Sequence, residues 1–293
     1  MLNYAADAPG VARFQFADFQ RRTPLVVLAG LFALAVVLLG RLRGVAALAS
    51  LAVTFAILLW VLLPALLQGS DPMAVALVAA TAIAFVTLYL THGLNERTTV
   101  ALLGTLASLA LIGLLALIFT AATRLTGLAD EESGFLRAFA LDLDFRGLLL
   151  AGIVIGALGV LDDVTVTQVS AVWELRQANP TTARRPIYRA ALNIGRDHIA
   201  STVNTLVLAY AGAALPLLLV LAVADRSVGA VLTGEVVAIE VVRTLVGSIG
   251  LVASVPITTA LAVPVVGRSG PAPPPAAPAP VTPSWDDFGP EES

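Results

Sequence analysis

Residues 156–175, GALGVLDDVTVTQVSAVWEL, place two adjacent carboxylates, Asp162 and Asp163, in an apolar run beside Thr165, Thr167, Gln168 and Ser170. A second polar run starts at Gly195 and brings Asp197, His198, Ser201, Asn204 and Thr205. Acids, hydroxyls and amides at this density form an oxygen donor set. It suits hard ions such as Na⁺, Mg²⁺, Ca²⁺ or Mn²⁺, and His198 extends the range to softer metals. Asp162, Asp163, Asp197 and His198 are the candidate ligands, with the metal itself left open. Proton exchange is the alternative, because a carboxyl in a low dielectric readily holds a proton. No catalytic residue is expected. Cysteine is absent, which removes thiolate sites, cysteine nucleophiles and disulfides.

Those residues need helices to align them. Positions three and four apart share a helix face, so Gly152, Gly156, Gly159, Asp163, Thr167 and Ser170 fall on one stripe. Its glycines offer close approach to another backbone. Asp197, Ser201 and Asn204 form a stripe on the next span, with His198 and Thr205 beside it. Asp162 and Asp163 should lie roughly 17 Å from the inner end of their helix, and Asn204 and Thr205 roughly 13 Å from theirs, by helical rise. One shared site between these two helices is therefore expected. Simpler roles compete with it. Serine and threonine often bond only the carbonyl one turn back. Asp197 suits a first-turn cap, and the acidic pair would also suit Arg196 or Arg243. Gly247, Gly250, Ser254 and Thr258 make a further small-residue stripe, expected to pack on the glycines of 152–159. Glu240 and Arg243 are spaced for a local ion pair.

The solvent of these helices follows from composition. Of 293 residues, 58% are hydrophobic and 13% charged, against about a quarter charged in ordinary soluble domains. Mean hydropathy is +0.91. The apolar residues run in blocks long enough to span a bilayer. The fold class expected is all-α, a polytopic membrane bundle of about seven spans near 24–39, 45–67, 72–91, 98–122, 147–173, 198–223 and 244–266. Residues 1–22 precede this domain of 23–267. Residues 268–293 are Pro/Ala-rich, then acidic, and are expected to be disordered. A short interfacial helix is expected within the outer connection of 123–146, from Phe135, Leu136, Phe139 and Ala140. A formal net charge of −3 gives no footprint for nucleic acid. The partners expected are the lipid bilayer and a membrane or envelope protein. Arg176, Arg184, Arg185, Arg189 and Arg196 put the 174–196 connection in the cytoplasm. The N-terminus is then outside and the C-terminus inside the cell membrane.

At GVLDDVTVTQVSAVWEL, GRDHIASTVNTLVLAYAGAALPLLL and EVVRTLVGSIGLVASVP the chain resembles the YibE/F-like family of bacterial integral membrane proteins. The resemblance covers residues 20–266 or so and carries no assigned activity. It implies an upstream anchor and an extracytoplasmic region, so the natural chain is expected to begin before Met1. The function expected is a transporter or permease component, not an enzyme, handling a small cation or a proton-coupled solute, with a bound cation as the one cofactor envisaged. The alternatives are a non-catalytic subunit of an envelope complex and an intramembrane hydrolase. A hydrolase pairing Asp163 with Asp197 fits poorly, because their depths differ by about 15 Å by helical rise.

Overall fold

The computed structural model describes residues 2–4, 14–16, 19–128, 131–138, 143–216, 218–219, 229, 231 and 233–267. The disordered tail expected over 268–293, the end of the sixth span expected near 223, and Phe139 and Ala140 lie outside the described residues. Two short strands, β1 (Leu2–Tyr4) and β2 (Phe14–Phe16), pair antiparallel with Leu2 opposite Phe16. The other regular elements among the described residues are helices. In chain order come α1 (Arg22–Ile57), a π-helical turn (Leu58–Leu62), α2 (Leu63–Leu67), α3 (Pro72–His92), α4 (Glu96–Ala122), α5 (Glu131–Ala138), α6 (Phe145–Ala178), α7 (Arg184–Ala213) and α8 (Glu235–Val266).

Local chemistry sets several of these boundaries. Asp71, Asn95 and Asp144 accept the N–H of Ala74, Thr98 and Gly147 at 2.7, 3.0 and 3.0 Å, capping α3, α4 and α6. Pro72 occupies the first turn of α3, where its missing N–H costs nothing. Gly93 ends that helix at φ +79°, a conformation in which a side chain would be strained.

Among the described residues, five helical segments are long and apolar enough to cross a membrane: Arg22–Leu67, Pro72–His92, Glu96–Ala122, Phe145–Ala178 and Glu235–Val266. The first is two arms rather than one rod. Arg41 breaks the helix at φ 50°, ψ −128°, and Gly44 then lies against the backbone of Val36. In a straight helix those two residues would stand about 12 Å apart. The arms correspond to the expected spans at 24–39 and 45–67. The expected span at 198–223 differs most. Its helix, α7, begins at Arg184, and the whole arginine-rich stretch from Arg184 to Arg196 lies inside it.

α4, α6 and α8 form the centre, with α3 against α6 and α1 outermost. Small side chains permit the closeness: Ala76, Ala80, Ala84 and Ala116 are fully buried. Leu25, Leu28, Phe32, Leu38 and Phe55 of α1 are exposed, the outward face expected of a helix in lipid. Antiparallel contacts bring the Arg41 bend, the 93–95 turn, the 179–183 turn and the end of α8 to one end of the bundle, with Arg184 against Gly267.

Candidate functional site

Asp162 projects from the middle of α6 to where α3 and α4 meet it. Its Oδ2 accepts from the Thr87 hydroxyl of α3 at 3.3 Å. Thr105 of α4 brings a second hydroxyl within reach of the carboxylate. The Thr105 and Thr165 hydroxyls are 2.8 Å apart and buried, and Thr165 donates to the Asp162 carbonyl at 3.2 Å. Each hydroxyl has one hydrogen to give. Thr165 spends its own on the Asp162 backbone, so Thr105 serves either Thr165 or the carboxylate, never both. Asp162 Oδ1 is buried and has no hydrogen-bond partner among the described residues. A carboxylate with about four acceptor sites thus receives at most two hydrogens, a deficit that a proton, a cation or water would fill.

Asp163 turns about 100° away, one residue further round the helix. Its side chain is 70% exposed, and Oδ2 stands 3.7 Å from His198 Nε2 on α7. The acidic pair therefore splits between two environments. The stripes expected to meet between the fifth and sixth spans do so at Asp163 and His198. Asp197, Ser201, Asn204 and Thr205 are exposed on α7, and Thr167 is exposed on α6. Thr205 bonds the Ser201 carbonyl at 3.0 Å, the local arrangement of a solitary helical threonine. Among the described residues no group of three His, Cys, Asp or Glu side chains is placed to hold a metal ion. Asp197 is not a cap, because α7 begins at Arg184, well before it. Arg243 pairs with Glu240 at 2.6 Å, as their spacing implies, and Arg196 bonds Asn193 at 3.2 Å. Neither is recorded at the acidic pair.

Gln168 is structural cement. Its amide donates to the Ala191 carbonyl of α7 at 2.9 Å and to Thr259 Oγ1 of α8 at 2.8 Å. Gly195 leaves room for it: a Cβ there would stand 2.6 Å from Gln168 Oε1. The other glycines divide. Gly152 and Gly159 face open space and Gly156 meets only the Tyr210 hydroxyl, so this stripe packs no backbone against it. Gly250 packs on Ile112 of α4 and Gly104 on Thr258 of α8, while Gly247 meets only Leu206. The close α4–α8 crossing replaces the expected α6–α8 one. Helical periodicity groups residues on a face but does not say which helix the face will meet.

One turn from Asp162 toward the arginine-rich end, α3 continues with Thr91, whose hydroxyl donates to the Thr87 carbonyl at 2.6 Å. Thr91 and Ser170 line a cavity of about 590 Å³ with Arg43, His92, Asn95, Arg97 and Thr98. Ser170, of the expected stripe on α6, thus opens onto a sizeable space. Thr87, Thr105 and this cavity were missed in the sequence. Their signal was faint: single threonines in AFVTLYL and LLGTLAS, at depths comparable with Asp162.

A family profile described as YibE/F-like protein matches residues 28–268. The chain belongs to this family. The match takes in α3, α4, α6, α7 and α8, so every side chain around Asp162 lies within the part common to YibE/F-like proteins. No curated protein and no solved structure matches the chain.

Proposed function

We propose that this YibE/F-like protein is a transporter or permease component of the cell membrane, moving a small cation or a proton-coupled solute past Asp162. The observation that carries the reading is the buried Asp162 Oδ1 without a partner, held where three helices meet. A charged carboxylate at bilayer depth costs at least about 2.5–3.5 kcal/mol on insertion scales, and such groups commonly mark ion or proton pathways. The cavity one turn away lies toward the arginine-rich end, which positive-inside logic assigns to the cytoplasm. The N-terminus is then outside and the C-terminus inside.

The test is a cation-panel uptake and efflux assay in proteoliposomes, with and without an imposed pH gradient. Asp162→Asn should abolish any ion- or proton-driven flux, and Asp163→Asn should leave most of it. Equal flux from wild type and Asp162→Asn would end the transport reading at this site.

A second reading has its own observation. Asp163, Asn204 and Thr205 are exposed on α6 and α7 at a depth where lipid is a poor neighbour for them. A membrane or envelope protein covering that face would make the chain a non-catalytic subunit. Co-purification from native membranes, lost on Asn204→Leu/Thr205→Leu, would favour it.

A further inference from the structure

We propose that the cavity at the arginine-rich end, between α1, α3, α4 and α6, binds a small oxyanion carrying phosphate or carboxylate groups. This inference stands independently of transport. At about 590 Å³ the space lies within the range of small-molecule sites. Arg43 enters it from α1, His92 from the end of α3, Asn95 from the turn that follows, Arg97 and Thr98 from the first turn of α4, and Ser170 from α6. Among the described residues no carboxylate lines it, and Glu96 in the same turn stays outside the lining.

Two guanidiniums from different helices facing one space repel each other, and an anion between them turns that repulsion into attraction. Arginine at a membrane interface has a simpler role, extending its head into headgroups. Arg43 alone would fit that role. Arg97 does not: it is half-buried, and its guanidinium lies 5.8 Å from the ring centroid of the buried Trp173 on α6. At that distance the ring face attracts the cation and holds the guanidinium near the cavity wall. The Ser170 hydroxyl adds a polar group to the wall, whereas the Asn95 amide gives its hydrogens to the His92 and Gly93 carbonyls and the Thr98 hydroxyl turns to the His92 carbonyl, so the two guanidiniums carry the recognition.

The free anion and a lipid phosphate share this chemistry, and the experiment separates them. Purified protein is placed in nanodiscs of phosphatidylcholine alone or doped with phosphatidylglycerol, and its thermal unfolding is followed with inorganic phosphate or with chloride at equal ionic strength. Wild type should gain several degrees in Tm from saturating phosphate, the size expected of about 2–3 kcal/mol of linkage. If only phosphatidylglycerol stabilises, the bound group is a lipid headgroup, and the site stands. Arg43→Gln/Arg97→Gln should lose either response. Should the double variant not fold, Arg43→Gln alone, at an exposed position, should weaken the midpoint for phosphate, or for phosphatidylglycerol, by about ten-fold. The proposal fails if neither phosphate nor phosphatidylglycerol stabilises wild type, or if the variants respond as wild type does.

Discussion

At the scale of single residues, the hydroxyl pair Thr105–Thr165 and the amide of Gln168 do what apolar side chains cannot: they join helices at fixed positions through directional bonds. Removing Thr105 breaks the bond between the helices but leaves Thr165 its bond to the Asp162 carbonyl, at a cost of about 0.5–1.5 kcal/mol, whereas replacing both by shape-matched apolar groups is closer to neutral. Thr105→Val should therefore destabilise by that amount, and Thr105→Val/Thr165→Val should recover part of it. Unfolding in mild detergent, read by circular dichroism across the four variants of the cycle, measures the coupling. Purely additive effects would mean that the two hydroxyls do not depend on each other. Gln168→Leu should also lower stability by about 1–3 kcal/mol, since it removes both hydrogen bonds that tie α6 to α7 and α8.

Among the elements, glycine position matters more than glycine number. Gly250 and Gly104 sit where α4 and α8 cross, against Ile112 and Thr258. A side chain at Gly250 has to displace a fully buried isoleucine. Gly250→Val should cost about 1–3 kcal/mol or more by overpacking. Gly152→Val, facing open space, should change stability by less than about 0.5 kcal/mol. Comparing the two melting temperatures checks the assignment of the crossing; the reverse order would place the close contact on α6. Glu235 performs a different task at the opposite end. It begins α8 and accepts hydrogen bonds from the Thr126 N–H and hydroxyl at 2.6 Å and from the Gly127 N–H at 3.1 Å. Glu235→Ala should free the connection after α4, seen as faster proteolysis near residues 126–128.

For the whole molecule, the gathering of arginine-bearing turns at one end makes a topological prediction. A cysteine introduced at Thr181 in this cysteine-free chain should be shielded from an impermeant thiol reagent in intact cells, and one at Ser133 should be reactive. Labelling at Thr181 with none at Ser133 would invert the molecule. Both cysteines shielded, or both labelled, would contradict a membrane crossing between them.

The sequence by itself determined the class of solvent and most of the helices. Runs such as residues 98–122 are apolar on every side, so burial in lipid or protein is their one favourable state, and caps at Asp71, Asn95 and Asp144 mark where they start. It also singled out the pair Asp162 and Asp163, since carboxylates in such a run are conspicuous from composition alone. The α7 boundary was hidden because the residues from Arg184 to Arg196 look like a loop by charge, yet continue one helix. Helix direction and partner choice were hidden for a deeper reason. Three- and four-residue spacing tells which side chains share a face, but the neighbour that a face meets depends on packing shape across the whole bundle. Only the tertiary structure therefore decided that Asp162 meets Thr87 and Thr105 while Asp163 turns to His198, and that Arg43 and Arg97, far apart in the chain, face one cavity.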